Sequence, residues 1–360
     1  MKAVVLVGGE GTRLRPLTYT TPKQLLPVVE VPLLERALAH LARHGVDEAV
    51  LSLGYRPDAF LAAYPEGRAA GVRLEYAVEP EPLDTAGAVR FAAEEAGIRE
   101  TFLVVNGDVL TDLDVTVLVE FHRSHGALAT IALTPVDDPS RFGVVPTTPD
   151  GRVEAFLEKP PPGEAPTDLI NAGTYVLEPE VVGRIPSARR VSIERETFPS
   201  LVADGALYAL ADKAYWLDTG TPEAYLRANA DVLQGLRGTP PHPAATLVTE
   251  GVWALGSPEI AGTVVAASLL GARSRVARGA EVRASVVGPG AVVESGALVE
   301  DSVLLADAVV ESGAVVRGTV AGRHSTVGER AIVEATSVLA DRARVAPGAH
   351  LRDARVEAED

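Results

Sequence analysis

Cysteine is missing altogether from this chain, which removes disulfides and thiolate metal sites from consideration. Long apolar runs are missing too. None approaches the ~20 residues that cross a bilayer. The apolar run at residues 3–7 is too short for a secretory leader, and no small-residue cleavage pattern follows it. These absences set the expectation of a cytoplasmic protein that works away from membranes. No serine sits in a G-x-S-x-G elbow, so a covalent intermediate has no obvious carrier. Positive charge is short as well. The formal net charge is −16, which argues against nonspecific binding to nucleic acid or anionic lipid. A polyanionic ligand would need local cations, or a metal, to overcome that field. Lysine is the scarcest cation, at positions 2, 23, 159 and 213 only.

What is present reads as globular. The 360 residues are 47% hydrophobic and 23% charged, which suits two domains with sizeable cores. Up to about residue 237, short β-rich runs (2–7, 48–53, 72–78 and 101–106) alternate with helical patterns (33–43, 86–96 and 115–124). That alternation predicts a mostly parallel α/β sheet. Ligands of such sheets sit at the carboxyl ends of the strands, where Gly8-Gly9 and Gly107-Asp108 fall. A further helix is expected after Thr221, an N-cap followed by Pro222 and Glu223. Residues 238–243 contain three prolines and read as a linker, taken to run to residue 262.

From residue 263 to 356 the texture changes. Aliphatics recur every six residues: Val287, Val293, Val299 and Leu305 in one phase, and Val327, Val333, Leu339, Val345 and Leu351 in another. Val276/Val282 and Val310/Val316 are shorter pieces between register slips. Several hexads carry Gly-Ala three residues after the aliphatic, as in Val276-Ala277-Arg278-Gly279-Ala280. Neither a helix nor a plain strand has this period. A left-handed hexapeptide β-helix does. It offers stacked aliphatic layers without a catalytic constellation and is read as an assembly element. An irregular β-sandwich is the alternative.

The strongest local signal is Gly8-Gly9-Glu10-Gly11-Thr12-Arg13-Leu14-Arg15-Pro16-Leu17-Thr18. It follows a strand, where backbone N–H groups can cradle phosphates. Its glycines alone describe an ordinary turn. It matches neither the dinucleotide nor the P-loop fingerprint. Arg13, Arg15 and Lys23 make it basic within an acidic protein, which points to polyphosphate. Lys23 and Lys159, two of only four lysines, both occupy Pro-flanked positions where a compact charge suits better than a guanidinium fork. Taken singly, Asp108 reads as an Asx turn, Asp218 as a helix-preceding cap, Arg13 as a surface residue and Asn171-Ala172-Gly173 as a turn. His40 and His44 lie four apart on a predicted helix, but without a third ligand they read as a solvated face.

Together with Pro22-Lys23, this stretch resembles the signature of the sugar-nucleotide pyrophosphorylases. Five further motifs agree in order: Pro82-Leu83-Asp84-Thr85-Ala86-Gly87, Asn106-Gly107-Asp108, Phe156-Leu157-Glu158-Lys159-Pro160, Asn171-Ala172-Gly173 and Trp216-Leu217-Asp218-Thr219-Gly220. The texture, including Ser192-Ile193-Glu194-Arg195-Glu196-Thr197-Phe198-Pro199, is most similar to the mannose-1-phosphate guanylyltransferase subgroup. The resemblance covers the whole chain, since a hexapeptide β-helix often follows the catalytic domain in this family.

The resemblance implies that a sugar 1-phosphate oxygen attacks the α-phosphorus of a nucleoside triphosphate and pyrophosphate leaves in line. It implies Mg²⁺ on Asp108 and Asp218, and Arg13, Lys23 and Asp108 as catalytic residues. Gly8, Gly9, Gly11, Thr12, Arg13, Lys23, Glu79, Thr85 and Gly87 would bind the nucleotide. Gly107, Glu158, Lys159, Asn171 and Gly173 would bind the sugar phosphate. Asp84 departs from the family, where glycine is usual. Aspartate tolerates left-handed geometry, so either the loop keeps its shape with Asp84 capping a helix, or its carboxylate reads the base. The preferred reaction is GTP plus mannose 1-phosphate giving GDP-mannose, in a homo-oligomer. The rivals are transfer of another nucleotide to glucose 1-phosphate or a related sugar, a noncatalytic subunit that senses a nucleotide sugar, and a hexapeptide acyltransferase using His324 or His350.

Overall fold

The structure is a computed structural model that describes residues 1–358 apart from 188, 239 and 266. Residue 239 of the proline-rich stretch at 238–243 therefore lies outside the described residues. Two compact units are present, and neither is continuous in sequence. One comprises Met1–Gly9 and Leu34–Trp216. The other comprises Glu10–Leu33 and Leu217–Asp360.

The first unit is built on seven main strands: β1 (Lys2–Leu6), β2 (Glu48–Leu53), β3 (Val72–Val78), β4 (Phe102–Asn106), β5 (Ala129–Pro135), β6 (Leu169–Leu177) and β7 (Leu207–Ala211). β1 lies between β2 and β4, parallel to both, and β3 extends the parallel set beyond β2. β6 runs antiparallel to β4 and β5, and β7 is parallel to β5. This is the mixed, mostly parallel sheet expected from the alternation of elements. β1 and β4 are nearly continuous aliphatic runs, as strands covered on both faces must be.

Helix α1 (Leu33–Arg43) buries Leu34, Leu38 and Leu41 from one stripe. Helix α2 (Asp84–Glu95) puts Ala86, Val89, Ala92 and Ala93 into the same core as Val4, Val50 and Val104. Its small residues allow a close approach to the sheet. Helix α3 (Val115–His125) starts where the Asp114 carboxylate accepts the Val117 N–H and ends at left-handed Gly126. These are a standard start signal and a standard stop signal. No helix among the described residues is long and apolar enough to cross a membrane.

In the second unit, helix α4 (Pro222–Leu233) starts as expected, with the Thr221 hydroxyl accepting from the Ala224 N–H. Among the described residues the chain from Thr246 to Val356 winds into three sheets that share coils, one of eight strands and two of six. They are parallel throughout except that the first strand, Thr246–Thr249, pairs antiparallel with Val252–Ala254. This is the left-handed β-helix. The hexads need one correction. Val287 pairs with Leu304, not with the in-phase Leu305. Val276, Val293 and Val310 stack on one face, and Val282, Val299 and Val316 on the next. Through this stretch a coil advances 17 residues, as hydrogen bonds between neighbouring coils also show, whereas Val327 pairs with Val345 and Val333 with Leu351, 18 residues on. One side of each 17-residue coil is a residue short, so a strict six-residue count slips there, and it stays in register where the advance is 18. The Gly-Ala pairs mark one corner. Gly279, Gly296, Gly313 and Gly348 turn with positive φ, and Ala280, Ala297 and Ala314 are buried beneath it.

Candidate active site

In the first unit, the parallel register puts the carboxyl ends of β1 and β4 side by side. Leu6 pairs with Asn106, and the Gly107 N–H donates to the Leu6 carbonyl at 3.0 Å. Gly8 and Gly9 leave β1 at this edge, and Asp108 leaves β4 there, partly buried. A Cβ on Gly107 would press on Val7 and the Leu6 carbonyl.

Glu79 follows β3. Its carboxylate accepts from the Ser52 hydroxyl at 3.1 Å and from the Leu83 N–H at 3.0 Å. It thereby ties the loop before α2 to the end of β2. Thr85 is held just as firmly. Its hydroxyl donates to Glu194 and accepts from the Ile193 N–H, both at 2.8 Å. The N–H groups of Ala86 and Gly87 both point at the Val191 carbonyl. Residues 191–194 thus clamp the start of α2. Asp84 has φ 62°, and its carboxylate turns back to the Thr85 N–H at 2.8 Å.

The sugar-phosphate candidates gather around β6. A bulge between Asn171 and Tyr175 re-aims the strand, as bulges do beside sites. The Asn171 side chain accepts from the Gly173 N–H and donates to the Tyr175 hydroxyl, each at 2.9 Å. Gly173 has φ 74°, and a Cβ there would strike the Asn106 amide. The Tyr175 hydroxyl is fully buried. Burial first, then the negative charges of Glu194, Glu158 and Asp108, push its pKa up, so it stays a proton donor. Glu158 sits at the sheet edge opposite Gly143. Lys159 follows in left-handed geometry, φ 51°, with its ammonium 3.3 Å from Glu158 and 62% exposed. A long side chain held on such a backbone is a strained, committed arrangement. The Trp216 indole N–H donates to the Ala172 carbonyl at 2.8 Å.

The second unit holds the remaining candidates. Gly11, φ 64°, lies so close to Thr18 that a Cβ would meet its methyl at 2.9 Å, and the Thr18 hydroxyl donates to the Gly11 carbonyl. Leu14 and Leu17 anchor this loop in the core, leaving Thr12 and Arg13 at the surface. Lys23 is buried. The Arg13 guanidinium lies 3.8 Å from Asp218, whose other oxygen accepts the Gly220 N–H at 2.8 Å. An exposed pair at that length holds its partners weakly, so the guanidinium is available to phosphate and the carboxylate to a cation. Gly220 makes room for the pair, since a Cβ there would overlap the guanidinium.

The first unit therefore gathers Gly8, Gly9 and Gly107 with Asp108, and Glu158, Asn171 and Gly173 around Tyr175. The second gathers Gly11, Thr12, Arg13, Lys23 and Asp218. Glu79, Thr85 and Gly87 form the wall leading into α2. Reading by motif overlooked Ser52, Tyr175 and Glu194. Ser52 and Tyr175 sit within strands and carry no local signal, whereas Glu194 lies in a stretch already singled out.

The first unit thus carries glycine turns at the carboxyl ends of its strands, and the second carries the basic groups Arg13 and Lys23 together with the hexapeptide β-helix. The chain belongs to the nucleotidyl transferase family, which residues 2–235 match. Residues 264–359 match the GMPPB C-terminal domain. A protein of Mycobacterium tuberculosis named mannose-1-phosphate guanylyltransferase is 45% identical over 269 residues, 73% of this chain and 74% of that one. The mannose-1-phosphate guanyltransferase of Aspergillus fumigatus is 43% identical over 242 residues, 66% of this chain and 65% of that one. Among solved structures, HddC from Yersinia pseudotuberculosis complexed with GMP-PN has a TM-score of 0.55 at 31% identity, covering 63% of this chain and 97% of that one.

Proposed function

We propose that this nucleotidyltransferase joins GTP to mannose 1-phosphate, forming GDP-mannose and releasing pyrophosphate. The observation that carries the reading is the 45% identity to a relative of that name, extending over nearly three quarters of both chains. The guanine nucleotide in the HddC complex supports the choice of base.

Arg13 and Lys23 receive the triphosphate, Arg13 on the leaving pyrophosphate and Lys23 at the phosphorus under attack. Gly8, Gly9, Gly11 and Thr12 offer backbone close to the phosphates. Lys159 takes the sugar phosphate, and Glu158 and Asn171 take sugar hydroxyls beside Gly107 and Gly173. Glu79, Thr85 and Gly87 shape the nucleoside side, Glu79 and Thr85 through bonds that are already satisfied within the protein. Their work is then to hold the wall rather than to read the base. Holding two polyanions in line supplies much of the rate, and cations aimed at the leaving group supply more.

Asp108 and Asp218 are the residues we assign to Mg²⁺. Both are partly exposed carboxylates. Magnesium ordinarily takes one or two such oxygens and completes its shell with phosphate and water, so the donor set suits it. When bound, it supplies neutralisation of charge on the phosphates. We place the enzyme in the cytoplasm as a homo-oligomer assembled through the β-helix, which light scattering tests.

Pyrophosphate release from four nucleoside triphosphates crossed with several sugar 1-phosphates tests the assignment. GTP with mannose 1-phosphate is expected to give the highest kcat/KM. Preference for another pair by tenfold or more would overturn it.

A further inference from the structure

The segment that carries Arg13 and Lys23 has little structure of its own. It is three short 3₁₀ turns, Thr12–Leu14, Leu17–Tyr19 and Lys23–Leu25, followed by a hairpin of two-residue strands. Turns of this length do not fix side chains by themselves. The hairpin turn, Val29-Glu30, is strained besides. Both residues have positive φ, 47° and 62°, where Asn-Gly would be at ease and a β-branched residue is not. Something outside the segment must hold it.

Those holders belong to the β-helix and the helix before it. The Arg323 guanidinium donates to the Thr21 hydroxyl at 2.8 Å. The Thr20 hydroxyl donates to Asp341 at 2.8 Å. Asp341 in turn accepts the Arg323 backbone N–H at 2.7 Å and lies 3.7 Å from its guanidinium. The charge of Arg323 also bears on Glu30 and on the buried Tyr225 hydroxyl, which donates to the Pro27 carbonyl. Asn229 accepts the Val29 N–H at 2.7 Å. Residues 20–30 are thus tied to two successive coils and to α4, and Lys23 lies two residues from Thr21.

We infer that Arg323 and Asp341, far along the chain in the β-helix, are positioning residues for catalysis. They set the place of Thr20-Thr21 and hence of Lys23. The β-helix then has work inside one chain besides any role between chains. The inference rests on the assignment of Lys23 to the reacting phosphate.

The test uses full-length Arg323→Ala, Thr21→Val and Thr21→Ser. Thr21→Val removes only the hydroxyl on the loop side and leaves the β-helix untouched. Hydrogen exchange of residues 11–26 and steady-state kinetics are measured for each. Arg323→Ala and Thr21→Val are expected to exchange faster in that segment. Their kcat should fall about tenfold, because small misplacements of a reacting group are costly. KM for the sugar phosphate should change less than twofold. Thr21→Ser should restore both properties. Unchanged exchange, unchanged kcat, or a loss confined to KM would overturn the inference. If the wild-type enzyme releases no pyrophosphate with any substrate pair, the proposed reaction fails. Faster exchange in Thr21→Val reversed in Thr21→Ser would still support the anchor, and equal exchange would still overturn it.

Discussion

At the residue scale, two lysines of one family motif set have opposite settings. Lys159 is exposed on a left-handed backbone beside Glu158, a place suited to capturing a dianion. Lys23 is buried and suited to a fixed reacting centre. Lys159→Ala is therefore expected to raise KM for the sugar phosphate tenfold or more with a smaller change in kcat. Lys23→Ala is expected to lower kcat at least a hundredfold. Varying each substrate in turn checks both, and the reverse pattern would exchange the two roles. Glu30 gives a second residue-level expectation. Burial pushes its carboxyl up to about 7, against the pull of Arg323. Between its ordinary value near 4.5 and about 7, the folded state binds a proton that the unfolded state lacks. Stability from this group is whole below 4.5 and is lost as pH rises to 7, on the order of 1 kcal/mol per pH unit. Melting temperatures from pH 5 to 8 should fall more steeply in the wild type than in Glu30→Gln. Parallel curves would refute the assignment.

At the element scale, the β-helix carries a buried hydroxyl at one corner of each coil: Ser268, Ser285, Ser302, Thr319 and Ser337. Ser302 donates to the Glu300 carbonyl and accepts the Thr319 N–H at 3.1 Å from the next coil. The coil thus satisfies a backbone donor that its tight corner leaves out of the sheet. Ser302→Ala would strand that N–H away from water, at a cost of roughly 1–3 kcal/mol. Ser302→Thr should cost less, since Thr319 occupies the equivalent place. Chemical denaturation of the two variants decides. Equal stability for Ser302→Ala and the wild type would mean that another group accepts the bond. These hydroxyls were not singled out in the sequence, because the six-residue count slips at each 17-residue coil and scatters them across phases.

At the scale of the whole molecule, a chain of charge −16 is asked to bring two polyanions together. A few cations cannot offset that field by themselves, and Mg²⁺ on Asp108 and Asp218 would supply the remainder. Excess EDTA should abolish pyrophosphate release, and added Mg²⁺ should restore it. Asp218→Asn should cut kcat a hundredfold or more with the melting temperature little changed, since its pairing with Arg13 is long and exposed. Full activity in EDTA would remove the metal from the proposal.

Periodicity and end signals were enough for the elements. Strands at 48–53 and 72–78, the helix at 33–43 and the Thr221 cap were legible because each rests on local pattern and local hydrogen bonds. The glycine motifs were legible too, since glycine marks places where backbone must approach backbone. Asp84 was partly legible. Its left-handed backbone was foreseeable from its motif, and its bond to the Thr85 N–H was one of two readings left open. Long-range pairing was not legible. Nothing near Ser52 announces that it holds Glu79, and nothing near Arg323 announces Thr21, about three hundred residues away. Local sequence encodes which turns and strands form. Which of them meet depends on burial and charge pairing across the folded chain, and these placed the segment Glu10–Leu33 with the β-helix rather than with the strand it directly follows.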